Sequence, residues 1–484
     1  MKVKRRIPHP ATMFFLLTLG VILLSWIFEI YGLRVAHPQT GEEVRVQSLL
    51  SPEGLRWMLR HVVSNFTGFA PLGMTIVAMF GMGVARHSGL IDACIRRWSG
   101  ADRHPRHIVW SVILTGLLSN VVGDAGYILL LPIAASLFQS VGLSPVGGIV
   151  IAYVSVSCGY SANLLLSTLD PLLAATTREV ADTADISFGR SGPLCNYYFL
   201  AASVGVLACV LYAVTCRYLL PRLKRQEAPL PNEPRKQLSH KERRAMTTAW
   251  IAGGCYALLL VLLTCTPYGI LRGVSGGLMH SPFLAALLFL LSFGIGLMGM
   301  VYGFAAGRYR TDGDVIEGLG ESMRSLGGYF VMAFFASQMI ACLEHSRLDY
   351  CWAIWGANHL ASTHLSGLGT LILFILFTAT VNLLMVSASA KWTFMAFIFL
   401  PLLADKGIAP DVTQCAFRIG DSATNAITPF LYYIPLVLTY LQQHHPKATY
   451  ATLFSYTWRY SLCVLLAWTL LFVGWHLSGW PLGL

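Results

Sequence analysis

From about residue 13 to the C-terminus the chain alternates apolar runs of roughly 20 residues with short polar connections. A helix rises 1.5 Å per residue, so a run of that length can cross a hydrocarbon core of roughly 30 Å. The pattern predicts helices over about 13–32, 67–85, 146–168, 196–216, 248–265, 282–305, 326–343 and 460–478, with a further one holding RIGDSATNAITP at 418–429. Two longer apolar stretches, about 108–140 and 368–405, are interrupted midway, at SNVVGD and at SASAKW. Their halves are too short to cross separately, so each reads as a re-entrant hairpin, with irregular backbone that protein or water must surround. The expected fold is an all-α polytopic membrane protein with about nine transmembrane helices and two re-entrant hairpins.

Composition sharpens this picture. Of 484 residues, 55% are hydrophobic and 12% charged, and mean hydropathy is +0.61. A soluble domain carries about 25% charged residues. MKVKRRIP opens like a signal peptide, but the apolar run behind it is too long and lacks a small-residue cleavage site. It reads as a retained first helix with a cytoplasmic N-terminus. GLRWMLRHVVSNF, just after it, is an amphipathic piece.

Charge sets the expected orientation. The 34 Lys and Arg against 23 acidic residues collect in a few connections, the mark of topogenic charge rather than of a nucleic-acid surface. Arg86, Arg96, Arg97, Arg103 and Arg106 follow the second helix, and residues 217–244 hold nine basic and three acidic residues with several prolines. The latter reads as a cytoplasmic linker, 217–246, between a first half, 1–216, and a second, 247–484. The first hairpin then enters from the cytoplasm and the second from outside. GRYRTDGD, after the sixth helix, is cytoplasmic, and DPLLAATTREVADTADISFGRSGP is an outer loop. The eleven cysteines include no CxxC pair and imply neither disulfides nor zinc. His444 and His445 read as a solvated helix cap rather than a metal site.

The two interrupted regions echo each other. GDAGYILLLPIAA precedes GLSP and an interrupted helix with GYSAN; KWTFMAFIFLPLLA precedes GIAP and an interrupted helix with GDSATN. Paired hairpins and broken helices of opposite orientation form the inverted repeat of secondary transporters, whose substrate binds near the midplane at exposed half-helix ends.

Charges inside such segments are costly, roughly 2.5–3.5 kcal/mol each on insertion scales, and persist mainly where they face a polar interior. Asp421, Asn425 and Asn382 offer hard oxygen ligands for a small cation. Arg418 lies one turn from Asp421, so an intrahelical ion pair is the bland reading of both. Ser422, Thr424, Asn425 and Thr428 in the same few turns are more polarity than one pair explains and favour a functional role. Asp170, in STLDPLL, is either a helix-end residue or a substrate contact, and Asn163 lies in the preceding GYSAN. At the first hairpin tip are Ser119, Asn120 and Asp124, the last either a cap for the second arm or a ligand. Lys391 and Trp392 are an interfacial anchor or, beside Ser387 and Ser389, a stacking surface for a planar ligand.

SASAKW, RIGDSATNAITP, GDAGY, GYSANLLLSTLDPLLA and NFTGFAPLG, in that arrangement over nearly the whole chain, resemble the p-aminobenzoyl-glutamate transporter (AbgT) family of the ion transporter superfamily. The resemblance implies a bowl-shaped homodimer in a bacterial inner membrane, with no enzymatic activity and no resident cofactor. It implies substrate-lining roles for Asp170, Ser389, Trp392, Pro410 and Arg418, and a sodium site at Asn382 and Asp421. Sodium is then the candidate coupling ion, with a proton as the alternative. The implied cargo is p-aminobenzoyl-glutamate on import, or sulfonamide antimetabolites on efflux. Cys158, in VSCGYSAN, departs from the pattern, which expects a second glycine there. Two other functions compete: a dicarboxylate or short-chain fatty-acid carrier of the same superfamily, and an intramembrane aspartyl protease using Asp170 and Asp421, which needs a paired-carboxylate site.

Overall fold

The computed structural model describes residues 8–36, 40–98, 104–186, 192–226, 238–266, 269–273, 281–361 and 365–484. The basic start of the chain and the middle of the expected linker, 227–237, lie outside these. The fold is almost entirely helical, with one two-stranded antiparallel ribbon, β1 (Arg34–Ala36) and β2 (Glu43–Arg45), that buries Val35 against Val44. The ribbon follows α1 (Pro10–Ile30), whose Leu16, Leu23 and Ile30 stay exposed, as side chains facing lipid would.

α2 (Pro52–Thr67) is the amphipathic piece, begun by a Ser51 cap whose hydroxyl accepts from Gly54 N at 3.0 Å. It runs almost directly into α3 (Ala70–His87), giving one long span from 52 to 87. α4 (Leu90–Trp98) follows, then the first interrupted region: α5 (Pro105–Ser119), a single 3-10 turn at Asn120–Val122, and α6 (Ala125–Ser140). α7 (Pro145–Cys158), α8 (Leu169–Thr183) and α9 (Tyr197–Val214) follow, and a π turn at 215–219 carries α9 nearly unbroken into α10 (Leu220–Gln226), which takes up the start of the stretch expected as linker.

α11 (His240–Cys265) opens on a capping box between Ser239 and Glu242. Next come α12 (Pro282–Ala285), α13 (Leu287–Ala306), α14 (Asp312–Arg324), α15 (Gly327–Ser346) and α16 (Leu348–Ala361). The second interrupted region is α17 (Gly367–Val381) and α18 (Ala388–Ala404); its break falls at 382–387 rather than at SASAKW, which opens α18 because the Ser387 hydroxyl caps that helix. It leads to α19 (Pro410–Ala423), α20 (Ile434–His444) and the long α21 (Tyr450–Ser478).

Among the described residues seven helices are long and apolar enough to cross a membrane. The two other crossings expected from sequence are the interrupted ones. α7 and α19 have 14 residues each, only about 21 Å of helix. α7 stops at Cys158 rather than near 168, because GYSAN and the residues after it leave the helix. The first part of the expected outer loop is instead α8, packed against α18 and α19, while 187–191 lie outside the described residues, and α16 was not anticipated at all.

The halves interlock. α3 lies against α13 and α14, and α1 against α15. Small residues permit this closeness: a Cβ on Gly81 would come within 1.8 Å of the Ser292 carbonyl oxygen. The three segments assigned from charge to one side of the membrane meet at one end of the molecule. Arg96 pairs with Glu242 at 2.7 Å, His87 Nδ1 lies 3.3 Å from the Tyr309 hydroxyl, and Arg308 packs against Gly89. All eleven cysteines are free, and His444 and His445 end α20 as the expected cap.

Candidate functional site

Two asparagines hold the broken elements together. Asn120 ends α5, and its Nδ2 donates to the carbonyls of Val156 and Gly159 at the end of α7, at 3.2 and 3.1 Å. Asn382 ends α17 in the same way and donates to Thr424 Oγ1 and Asn425 Oδ1 just past α19, at 3.1 and 2.8 Å. Each amide thus docks the tip of one helix pair onto the broken helix of its own half. The breaks also touch each other. The Tyr153 hydroxyl donates to the Asn425 carbonyl at 3.4 Å, Asn425 Nδ2 donates to the Ser157 carbonyl at 3.4 Å, and Cys158 Sγ lies 3.7 Å from the Ala423 carbonyl. A glycine at 158 would leave those backbones free to approach; the thiol fills the gap.

The one-turn spacing of Arg418 and Asp421 suggested an ion pair within α19, but the structure pairs each with another helix. Arg418 Nη1 donates to Asp170 Oδ1 on α8 at 2.6 Å, with both side chains buried. Asp170 Oδ2 is taken by the Ser167 amide and hydroxyl, at 2.6 and 3.0 Å, so the carboxylate also fastens the start of α8. Asp170 thus stands in the first turn of α8, as its helix-end reading has it. Arg418 Nε is buried without a hydrogen-bond partner among the described residues.

Asp421 pairs instead with Lys391, in the first turn of α18, at 2.6 Å. Lys391 Nζ also donates to Asn382 Oδ1. Lys391 is therefore no interfacial anchor: its side chain is fully buried among polar partners.

Trp392 lies beside it, fully buried, with Nε1 donating to Thr177 Oγ1 on α8 at 2.9 Å. Its ring sits 4.7 Å from that of Phe417 at 42°. The indole is covered by its own chain, so it does not present the open stacking face expected from sequence. Thr177 accepts a second bond from Gln414 Nε2 at 2.8 Å, and Gln414 Oε1 accepts from Asn196 at 2.7 Å. Sequence reasoning missed this buried chain of Thr177, Gln414 and Asn196. Its signal was present in α8, where Asp170, Leu173, Ala174, Thr177, Val180 and Ala181 recur at helical spacing.

The other expected residues fall around this centre. Ser389 stands in the first turn of α18, 3.4 Å from the hydroxyl of Ser387, which caps that helix by accepting from Ala390 N. Asn163 and Ser161 are buried in the stretch after α7, and Asn163 Oδ1, Ser161 Oγ and Ser422 Oγ have no partner among the described residues. Buried polar atoms without a partner are rare in folded chains, so each calls for a physical explanation. Tyr160, unremarked in the sequence, lies within electrostatic reach of Asp124, Asp170, Arg418 and Asp421. Pro410 is apart: it starts α19, about 12 Å along the axis from Arg418. At the first tip, Ser119 Oγ donates to the Gly116 carbonyl at 2.7 Å. Asp124 occupies the cap position of α6, but its side chain makes no capping bond.

Neither Asp170 nor Asp421 has the carboxyl partner a protease dyad requires, since each faces a base. The oxygens expected to hold sodium are likewise engaged: Asn382 Oδ1 and Asp421 Oδ1 both meet the Lys391 ammonium, and Asn425 Oδ1 accepts from Asn382. A separate cavity of about 480 Å³, lined by Met79, Arg86, His87, Ser136, Glu321 and Tyr440 among others, shares no lining residue with this centre.

A nearly all-helical fold with seven membrane-length helices among the described residues, closing around buried, neutralised charges at broken helices, defines a polytopic membrane transporter. The chain belongs to the AbgT family of transporters, which it matches over residues 2–484. It is 30% identical over 483 residues to the p-aminobenzoyl-glutamate transport protein of Escherichia coli K12, covering 100% of this chain and 94% of that one. The crystal structure of the Alcanivorax borkumensis YdaH transporter, described as having an unusual topology, superposes with a TM-score of 0.55 at 35% identity, covering 99% of this chain and 100% of the other. Neisseria gonorrhoeae MtrF, described as illuminating a class of antimetabolite efflux pumps, superposes with a TM-score of 0.52 at 35% identity over 97% and 96% of the two chains. These relatives are transporters rather than enzymes.

Proposed function

We propose that the chain is a cation-coupled secondary transporter of p-aminobenzoyl-glutamate or a related aromatic carboxylate or sulfonamide antimetabolite. The observation that carries this reading is the buried Arg418, held by Asp170 on one side while its Nε stays unpartnered. A buried guanidinium that keeps one N–H unpartnered is suited to a carboxylate. Asp170 then orients the arginine rather than touching the cargo. One residue before Arg418, Phe417 meets Trp392, an aromatic wall suited to an aminobenzoyl ring once the helix-pair tips part. The orphaned Asn163, Ser161 and Ser422 supply polar contacts near the breaks. An aliphatic dicarboxylate would use the arginine and leave the aromatic wall idle.

The cation seat in this reading is Asn382 with Asp421 and Asn425. The two interrupted regions act as hairpins entering from opposite sides, 108–140 from the cytoplasm and 368–405 from outside. The chain works as a homodimer in the inner membrane with its N-terminus inside.

The test is a binding and counterflow measurement on the reconstituted protein. p-Aminobenzoyl-glutamate is expected to compete with itself and hardly with succinate, and uptake should respond to an imposed sodium or proton gradient. Trp392→Ala is expected to weaken aminobenzoyl binding by about 10-fold, the scale of one aromatic contact. Equal competition by succinate, with an unaffected Trp392→Ala, would reassign the cargo to the dicarboxylates.

A further inference from the structure

Residues expected to hold a sodium ion are already occupied by the chain itself. Lys391 Nζ lies between Asp421, at 2.6 Å, and Asn382, which is the geometry of a small cation bridging a carboxylate and an amide oxygen. The site is sealed: Lys391 and Asn382 are 0% exposed and Asp421 1%. Sodium and an ammonium group are both compact monovalent cations seeking hard oxygens, and two cannot share one carboxylate in a dry interior without repulsion. The amide of Asn382 also fastens the α17 tip to Thr424 and Asn425. Whatever cation sits here therefore ties α17, α18 and the end of α19 together.

We propose that Lys391 is a tethered substitute for the coupling sodium: its ammonium neutralises Asp421 and locks the second helix-pair tip, so cargo binding in this chain does not require sodium. Removing the lysine creates a sodium site at Asn382 and Asp421. The inference rests on the reading of Asn382–Asp421 as the cation seat.

The experiment uses the full chain purified in detergent, in sodium chloride and in choline chloride at equal ionic strength, with Tm and p-aminobenzoyl-glutamate affinity both measured. Wild type is expected to show the same Tm and the same Kd in the two salts. Lys391→Ala should be less stable in choline and regain a sodium-specific rise in Tm, roughly 2–4 °C or more for each tenfold of linkage. Lys391→Ala/Asp421→Asn should lose that rise. The inference is overturned by a sodium-specific stabilisation of wild type that Asp421→Asn removes, or by a folded Lys391→Ala blind to sodium. Were Lys391→Ala to fold only when purified in sodium, that rescue would support it; failure in both salts would leave the wild-type comparison to decide. A different failure marks the underlying reading: wild type blind to sodium, but Asp421→Asn and Asn382→Ala both transporting normally, would remove the cation seat itself.

Discussion

At the scale of single residues, the decisive chemistry is two buried ion pairs, and in each the partner lies on another helix. Removing one member of such a pair leaves an uncompensated charge and costs about 3–5 kcal/mol, whereas replacing both costs far less. Arg418→Met is therefore expected to lower thermal stability severely by stranding Asp170. Arg418→Met/Asp170→Asn should recover most of it, because asparagine can still accept from Ser167. Binding of p-aminobenzoyl-glutamate should remain lost in both. A double variant as unstable as the single, measured by thermal unfolding, would mean that the pair is not an isolated charge match. The sequence made Arg418, Asp421, Asp170 and Asn382 conspicuous, since each is polar within an apolar run. Their partners were not legible: Arg418 and Asp421 are three apart in sequence and suited each other equally well on paper. The outcome depended on where α8 and α18 bring Asp170 and Lys391, 248 residues and 30 residues away.

At the scale of elements, the breaks are what the sequence announced best. SNVVGD and GYSAN interrupt helices where they stand in the chain, whereas the second hairpin breaks at 382–387, just before most of SASAKW, and α19 runs through Ala423 before GDSATN breaks at Thr424 and Asn425. Polar residues and glycines offer the backbone alternatives to the helical ladder, and short helices beside them are then fixed by packing. α8 escaped because its mixed DPLLAATTREV reads as a loop when its burial against α18 is unknown. Close helix contact sets a further expectation. A Cβ on Gly420 would meet the Ile375 carbonyl at 2.4 Å and Ala379 N at 3.0 Å, backbone atoms that cannot swing aside. Gly420→Ala should therefore push α19 from α17 and cost about 1–3 kcal/mol. The control is Gly205→Ala in α9, where a Cβ meets nothing within 4 Å and thermal stability should hold or rise. Equal Tm values for the two variants would mean that α17 and α19 pack less closely than this.

At the scale of the whole molecule, charge placement and contact agree, since the three basic segments converge through Arg96–Glu242, His87–Tyr309 and Arg308–Gly89. Orientation follows as a measurement. With the exposed Cys209, Cys255 and Cys265 replaced by serine, Lys224→Cys should react with an impermeant thiol reagent only from the cytoplasmic side. Glu179→Cys, on the exposed face of α8, should react only from the other. Labelling of both from one side would invalidate the inverted arrangement of the two halves. The sequence by itself determined that this is a many-helix membrane protein with two interrupted apolar stretches, and placed their breaks to within a few residues, because apolar length and local backbone chemistry are properties of contiguous residues. Only the tertiary structure decided which charge neutralises which, that Trp392 is sealed against Phe417 and Thr177, and that Lys391 stands between Asp421 and Asn382. Those outcomes depend on distances between segments far apart in the chain, and in a medium without water each buried charge must find its partner wherever the packing brings one.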